Sequence, residues 1–384
     1  SGDGGASPSS SDSPTVSGQP AEAGGQEPAE GAPENTPPSG QSAAPTDGVG
    51  YVTDDVDHWA REAYDFVYYS YAPSNLTDQM IQALKQLAEA YNFNVSDLTA
   101  NGDADAYITN LQTLLLTEPD GILSDVNPEF KQRVADIINE DGTPCVSMFN
   151  LVTDSEDRAL IPCVVMDQFY NGGRQIEWLS ENYTKYWGDG ADRSEIALLT
   201  LGWSASIDLN TRTEGSMAKF RELFPGQTVL NADGVTESLT SEGGYNLTNS
   251  VISAHPEVKY WFISACVEDL ALGAGRAVEA LGKQDTVLIT ASGAAILPGE
   301  WDAGYEGVWV GNYSVSPFQY AGSAIFGLIA LADGRATMGT LWPEHINEGD
   351  LAARYMMQAD IMTHDNYKQY LGDIVRSFGL EYEG

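Results

Sequence analysis

Residues 258–282 read VKYWFISACVEDLALGAGRAVEALG, and their pattern decides the fold. The apolar run Tyr260-Trp261-Phe262-Ile263 stops at small residues and is followed by the acidic pair Glu268-Asp269. Leu270-Ala271-Leu272, Ala277-Val278 and Ala280-Leu281 then recur at helical spacing. This predicts a buried strand, a turn carrying polar groups, and a helix packed on the sheet. In open α/β sheets ligands sit outside the carboxyl ends of the strands, where such turns gather.

The same alternation continues in both directions. Toward the N terminus it predicts strand Phe66–Tyr69, helix Thr77–Tyr91, a strand from Asn94, helix Tyr107–Leu116, strand Gly121–Leu123, helix Phe130–Asn139, and strands Pro144–Phe149 and Cys163–Met166. Helix Gly173–Tyr183, strand Ile196–Leu201, helix Thr213–Phe224, strand Thr228–Leu230 and helix Tyr245–Ala254 lead up to the opening segment. Strands Thr286–Thr290 and Val308–Val310, helix Phe318–Ala332 and a late strand near Met356–Met362 come after it. Strand–helix alternation run through twice predicts an α/β fold of two parallel sheets covered by helices.

Residues 1–50 are built from Ser, Gly, Pro, Ala, Glu and Asp with almost no large apolar side chain. Such a segment cannot bury enough surface to offset its ordering entropy, so it is expected to be a disordered tether. The rest of the 384-residue chain exceeds the usual size of one core and suggests two lobes. A formal net charge of −38 argues against a nucleic-acid partner, since no basic face is available to neutralise phosphates. Cys145, Cys163 and Cys266 lie in apolar runs without CxxC spacing and read as buried free thiols, a Cys145–Cys163 bridge being the alternative.

Catalytic and metal signals are weak. His58, His255, His345 and His364 are dispersed and form no HExxH or triad-like spacing. Gly273-Ala274-Gly275 lacks the third glycine of a dinucleotide fingerprint. Asp103 and Asp105 resemble part of a calcium loop but lack its Gly and Glu, so they read as loop residues. No enzyme activity, cofactor or metal is expected.

The opening segment resembles type I periplasmic binding proteins (the ribose/galactose-binding and lactose-repressor-core family), whose pattern is strand, Asn-Asp, then an Ala-Leu-Gly-Ala helix. Asp269 and Ala271-Leu272-Gly273-Ala274 fit it, while Glu268 stands for the usual Asn. Asp120-Gly121-Ile122-Leu123 is similar to the family's Asp-Gly-Ile-Ile, and Gly142-Thr143-Pro144-Cys145-Val146 to its Gly-Ile-Pro-Val-Val. Residues 164–172, VVMDQFYNG, resemble Val-Gly-x-Asp-Asn-x-x-x-Gly, and Arg212-Thr213-Glu214-Gly215 resembles Arg-x-x-Gly at the start of a second-lobe helix. Order and spacing together carry the likeness from Tyr64 to the C terminus.

The resemblance implies two doubly wound parallel-sheet lobes joined by three crossings: residues 51–168 plus 313–345 in the first, 169–312 plus 346–384 in the second. It also implies a small-molecule ligand, a sugar first of all, held between the lobes. Carried over position by position, the ligand contacts are Ser74, Asn75 and Asn150 in the first lobe, then Phe169, Arg212, Asp233, Glu268, Asp269, Ser292 and Asn312. Tyr69, Tyr71, Tyr170, Trp203 and Trp301 join Phe169 as candidate ring platforms. Asn150-Leu151 where the family has Asp-Arg, Ser292 where it has Asp, and a first loop without paired Phe depart from a simple pentose site. Each candidate has an ordinary structural reading too: Asn75 and Asp269 as helix-start residues, Arg212 balancing local carboxylates, Glu268 solvated at a rim.

The expected role is the extracytoplasmic solute-binding subunit of a bacterial ABC importer. It would be monomeric, meet a membrane permease, and be lipid-anchored to the cell membrane, since Ser1-Gly2-Asp3-Gly4-Gly5 is similar to the stretch directly after a lipoprotein's lipid-bearing cysteine. A ligand sensor presenting its closed state to a receptor kinase is the alternative.

Overall fold

A computed structural model describes residues 56–382 apart from Val315. The expected tether, residues 1–50, lies outside the described residues. Strand β1 (Tyr64–Ser70) leads through α1 (Asn75–Tyr91), β2 (Phe93–Thr99), α2 (Ala104–Leu115), β3 (Gly121–Ser124), α3 (Lys131–Asp141) and β4 (Cys145–Met148) to β5 (Cys163–Met166). The chain then crosses into α4 (Gln168–Trp187), β6 (Ile196–Gly202), α5 (Ile207–Leu223), β7 (Val229–Asp233), α6 (Ser241–Ala254), β8 (Tyr260–Ala265), α7 (Glu268–Ala280), β9 (Val287–Ser292), α8 (Leu297–Asp302) and β10 (Trp309–Tyr313). It returns with α9 (Pro317–Ala332) and β11 (Arg354–Met357), and crosses a third time to β12 (Ile361–Thr363) and α10 (Tyr367–Ser377).

The first sheet has the order β11-β5-β4-β3-β1-β2 and is parallel throughout. The second runs β12-β10-β9-β8-β6-β7, parallel except for the β10–β12 pair. In each sheet the first strand in sequence sits between the second and the third. Winding therefore reverses beside β1 and beside β6, which opens a crevice at the carboxyl ends of the strands.

Two-sided burial explains why the strands are continuous apolar runs. All seven residues of β6 are buried. Ala197, Leu199 and Leu201 pack with Leu270, Ala271 and Ala274 of α7, while Ile196 and Leu198 pack on the other face with Phe220 of α5. In the first sheet Tyr68, Leu123, Val146 and Val164 face α1 and α9, and Tyr69, Ile122, Cys145 and Val165 face α2 and α3. Helix α9 is apolar all round because every residue from Gln319 to Leu331 is buried.

Three expectations need correction. The late strand near Met356–Met362 is two strands, because Gln358-Ala359-Asp360 carries the third crossing. Strand β11 pairs with β5, so residues 354–357 belong to the first sheet and not to the second-lobe segment 346–384. Helix α5 begins at Ile207, six residues before its expected start, because the Ser206 hydroxyl caps it by accepting from Leu209 N. Helices α8 and α10 carried no expectation. Asp103 is a helix cap, its carboxylate accepting from Ala106 N at 2.8 Å, and Asp105 lies in the first turn of α2. Among the described residues no group of acidic, His or Cys side chains is arranged to hold a metal ion. No described helix is long and apolar enough to cross a membrane.

All three cysteines are free and buried. Cys163 stands opposite Ser147 on β4, while Cys145 pairs in register with Ile122 on β3, so the two thiols are staggered. Burial pushes the Cys266 thiol up to about 11 and Cys163 up to about 12.

Glycines set the closest helix contacts. A Cβ at Gly172 of α4 would overlap the Arg212 carbonyl oxygen of α5, and one at Gly215 would overlap Phe169 O. Gly172→Ala therefore forces α4 from α5 and should cost about 1–3 kcal/mol. Gly173→Ala is the control, since its Cβ meets nothing nearer than the Lys219 Cβ at 3.7 Å. Urea midpoints of the ligand-free proteins should fall for the first and hold for the second.

Candidate ligand-binding cleft

The carboxyl edges of the two sheets enclose a cavity of about 430 Å³. Leu76 and Gln79 of α1, Phe149 after β4, Met166 of β5, and Pro317 and Tyr320 of α9 line it from the first lobe. Gln168, Ser206, Asp208, Leu209, Arg212, Glu268 and residues 292–295 line it from the second. The Phe149 and Tyr320 rings meet at 4.7 Å between centroids and form its aromatic wall.

Arg212 is the cationic side chain of this lining. It is 7% exposed. Its Nε and Nη2 donate to Gln168 Oε1 at 3.0 and 2.7 Å, and Nη1 donates to the Cys266 carbonyl. A guanidinium carries five N–H groups, so two are left without a hydrogen-bond partner among the described residues. Burial pulls its proton affinity down from the ordinary value, and the nearby Asp208 charge opposes that. The acceptors it meets are all neutral.

Glu268, expected as a ligand contact or else as a solvated rim residue, lines the cavity but is buried. It is the first residue of α7 and 5% exposed. Its Oε2 accepts from Ala295 N at 2.8 Å and Ile296 N at 3.0 Å; its Oε1 accepts from Leu297 N at 3.0 Å and Asn312 Nδ2 at 2.8 Å. Burial pushes the carboxyl up, and these four hydrogen bonds pull it back. Asn312, fully buried, also donates to Gly293 O and accepts from Trp309 Nε1 at 2.7 Å. The pair thus holds the loop 293–297 that forms the cleft floor. Ser292 lines the cavity, its hydroxyl accepting from Asn171 Nδ2 at 2.8 Å. Behind it Asn171, Gln175, Ser264 and Ser216 continue a buried hydrogen-bond chain.

The other candidates whose side chains are described stand apart from this lining. Ser74 caps α1 in a box with Thr77. Asn75 is the first residue of that helix, and its side chain lies outside the described part of the structure. Asn150 is half-buried next to Phe149, and its carbonyl accepts from the Ser147 hydroxyl. Phe169 is 52% exposed. Asp233, at the end of β7, accepts from the Ser204 hydroxyl and from Val235 N, and the Ser204 hydrogen bond holds its carboxyl below the usual range. Asp269 is exposed in the first turn of α7. Tyr69 stacks on Tyr107 in the core, and Trp301 packs on Tyr367 at the far end of the second sheet, so neither is a cleft platform.

Sequence reasoning missed Phe149, Tyr320, Gln79, Gln168 and Asp208 as lining residues. It also missed Asp125, directly after β3 at the same sheet edge. Burial lifts the Asp125 carboxyl to about 6, and the buried Tyr68 hydroxyl in its field has no hydrogen-bond partner among the described residues.

Two doubly wound lobes that face a cleft lined by both apolar and polar side chains, joined by three crossings, define a cleft-type binding protein. The chain belongs to the periplasmic binding protein domain family, whose model matches residues 65–336. The L-arabinose-binding periplasmic protein of Escherichia coli (strain K12) is 30% identical over 123 residues, which is 32% of this chain and 36% of that protein. The match thus spans about a third of the curated relative's length. Among solved structures, a sugar-binding protein of a sugar ABC transporter from Bacillus halodurans superposes with a TM-score of 0.64 at 17% identity, over 80% of this chain and 99% of that one. An arabinose binding protein from Geobacillus stearothermophilus gives 0.61 at 16%, over 80% and 99%. An ABC transporter solute binding protein from Bacillus halodurans C-125 with bound myo-inositol gives 0.59 at 18%, over 81% and 98%. Likeness at these identities speaks for the fold.

This geometry has two measurable outcomes. Glu268→Gln turns an amide nitrogen toward backbone N–H groups and leaves at least one donor unpaired, at a cost on the order of 1–3 kcal/mol. Denaturation of the ligand-free variant should show it, with faster amide exchange at residues 295–297. For Asp125 the folded value, about 6, lies above the ordinary 3.8. Its contribution is therefore fully present below about pH 4 and lost as pH rises to about 6. Asp125→Asn should flatten the stability–pH curve across that window.

Proposed function

We propose that this chain is an extracytoplasmic solute-binding protein of an ABC importer and captures a sugar or sugar-like molecule in the cleft. The observation that carries the reading is Arg212, buried at the cavity wall with two N–H groups unspent. Around it lie acceptors (Asp208, Gln79, Ser206) and the Phe149–Tyr320 wall, a set that suits a ligand with hydroxyls on its edge and C–H groups on its faces. Relatives named for L-arabinose and myo-inositol point to the same ligand class.

Binding needs no covalent step. Contacts from both lobes favour a closed state, which a membrane permease then recognises. The protein acts as a monomer, releases its ligand unchanged, and is tethered by a lipid at its N-terminal side.

A thermal-shift panel of sugars, polyols, nucleosides and amino acids tests this. A ligand at one hundred times its Kd adds about 2.7 kcal/mol to the native state. Response to sugars or polyols supports the reading; response to amino acids or nucleosides alone removes it. Arg212→Ala should then weaken the responding ligand roughly ten- to hundred-fold, the loss of a charged hydrogen bond. It should also lower the apo melting temperature, because Gln168 and the Cys266 carbonyl lose their donor. Arg212→Lys should restore affinity only in part, lacking the planar fork. Calorimetric titration separates the two effects.

A further inference from the structure

We propose that the cleft selects a deoxyhexose, a sugar with a methyl group where a hexose has its hydroxymethyl: the methyl faces the first lobe and the hydroxyl edge faces the second. This rests on the reading of the cleft as a sugar site.

The two lobes bring unlike surfaces to the cavity. From the first come Leu76, Gln79, Phe149, Met166, Pro317 and Tyr320, whose polar side-chain groups are the Gln79 amide and the Tyr320 hydroxyl. Ser74 and Asn150, the polar side chains expected on that side, do not line it. The Met166 sulfur already accepts from Asn171 Nδ2 at 2.9 Å, so Met166 has only C–H groups left for a ligand. Leu76, in the first turn of α1, lines the cavity while staying 42% exposed, an aliphatic side chain with little of its own lobe to cover it. The second lobe, by contrast, supplies Gln168, Ser206, Arg212 and Ser292, and Arg212 has two N–H groups without a partner among the described residues.

An ordinary hexose carries polar groups around its whole edge. Set between these surfaces, it turns some of them toward Leu76, Met166 and Pro317, which offer no donor and no strong acceptor. A hydroxyl withdrawn from water without a partner opposes binding. In a deoxyhexose pyranose the methyl-bearing carbon lies across the ring from carbons that bear hydroxyls. The methyl therefore enters the aliphatic side while those hydroxyls reach Arg212 and the polar side chains around it. The C–H face of the ring is left for the Phe149–Tyr320 wall. Burying the methyl adds to affinity, and a hydroxymethyl in its place brings an oxygen that finds no partner. The competing explanation is that the first lobe only covers the C–H face of an unmodified sugar, with Gln79 and water taking its outward hydroxyls.

The test uses pairs that differ by one oxygen atom: L-rhamnose with L-mannose, L-fucose with L-galactose, D-fucose with D-galactose, and D-quinovose with D-glucose. L-arabinose and myo-inositol complete the panel. Each is titrated calorimetrically into the wild-type protein, Leu76→Gln and Leu116→Gln, and the ligand-free melting temperature of each protein is recorded. Leu116, 84% exposed at the end of α2 and outside the lining, is the control for removing a surface leucine. The wild type should bind at least one deoxyhexose roughly ten- to hundred-fold more tightly than its hydroxylated partner, and more tightly than L-arabinose or myo-inositol. Leu76→Gln puts an amide on the aliphatic side and should reduce that preference at least about threefold, while Leu116→Gln should leave it in place. The proposal is overturned if no deoxyhexose binds, if none outdoes its partner, or if a hexose, pentose or polyol binds tightest. It is equally overturned if Leu76→Gln, folded by its melting curve, keeps the full preference, or if Leu116→Gln erodes it as much. Sugar binding without the preference removes this proposal and leaves the sugar reading standing. A response to amino acids or nucleosides alone removes both.

Discussion

The carboxylate of Glu268 is the contact on which the cleft depends. It joins the start of α7, the floor loop at 293–297 and β10 through Asn312, so one side chain fixes three elements that would otherwise meet only through apolar packing. A charge this deep is stable because its donors are fixed backbone amides and a fully buried amide side chain, not water. The floor that results is built of Gly293, Ala294 and Ala295, whose small side chains keep the cavity open. Arg212 can be buried in the same lining for a related reason: its lost hydration is replaced by the Gln168 side chain and one carbonyl.

The crossings between lobes are tied together rather than loose. The Tyr313 hydroxyl accepts from Ala359 N at 2.7 Å. The Tyr370 hydroxyl accepts from Asp360 N and donates to Ser314 O at 2.8 Å. Arg174 meets Asp360 at 2.9 Å. The second and third crossings therefore act as one ribbon. The chain crosses between the sheets at 167, between β10 and α9, and at 358–360, and the last of these is held by the bonds just described.

The fold was legible because two-sided burial writes strands as apolar runs and helices as stripes, and 258–282 shows both within one unit. The split of 356–362 was not legible, since Met-Met-Gln-Ala-Asp-Ile-Met reads as one short run and only the pairing of β11 and β12 with different sheets divides it. Arg212 was found through the likeness of Arg212-Thr213-Glu214-Gly215 to Arg-x-x-Gly. Asp208 was not found, because the sequence places α5 too late and leaves that residue in a loop. Phe149 and Tyr320 come from distant parts of the chain and meet only when α9 packs on the first sheet. The protein partners of Glu268 were not legible for another reason: they are the amides of Ala295, Ile296 and Leu297, an apolar stretch whose side chains give no hint of a binding surface for a charge.

The three cysteines have a consequence for how the chain reaches its native state. Thiols whose pKa lies near 11 or 12 carry almost no thiolate at neutral pH, and thiolate is the form that attacks disulfides or is oxidised. Once folded, the buried thiols are withdrawn from thiol–disulfide exchange. Before folding, the same three sulfurs are ordinary and exposed. Covering β4, β5 and β8 is therefore what withdraws these sulfurs from wrong cross-links.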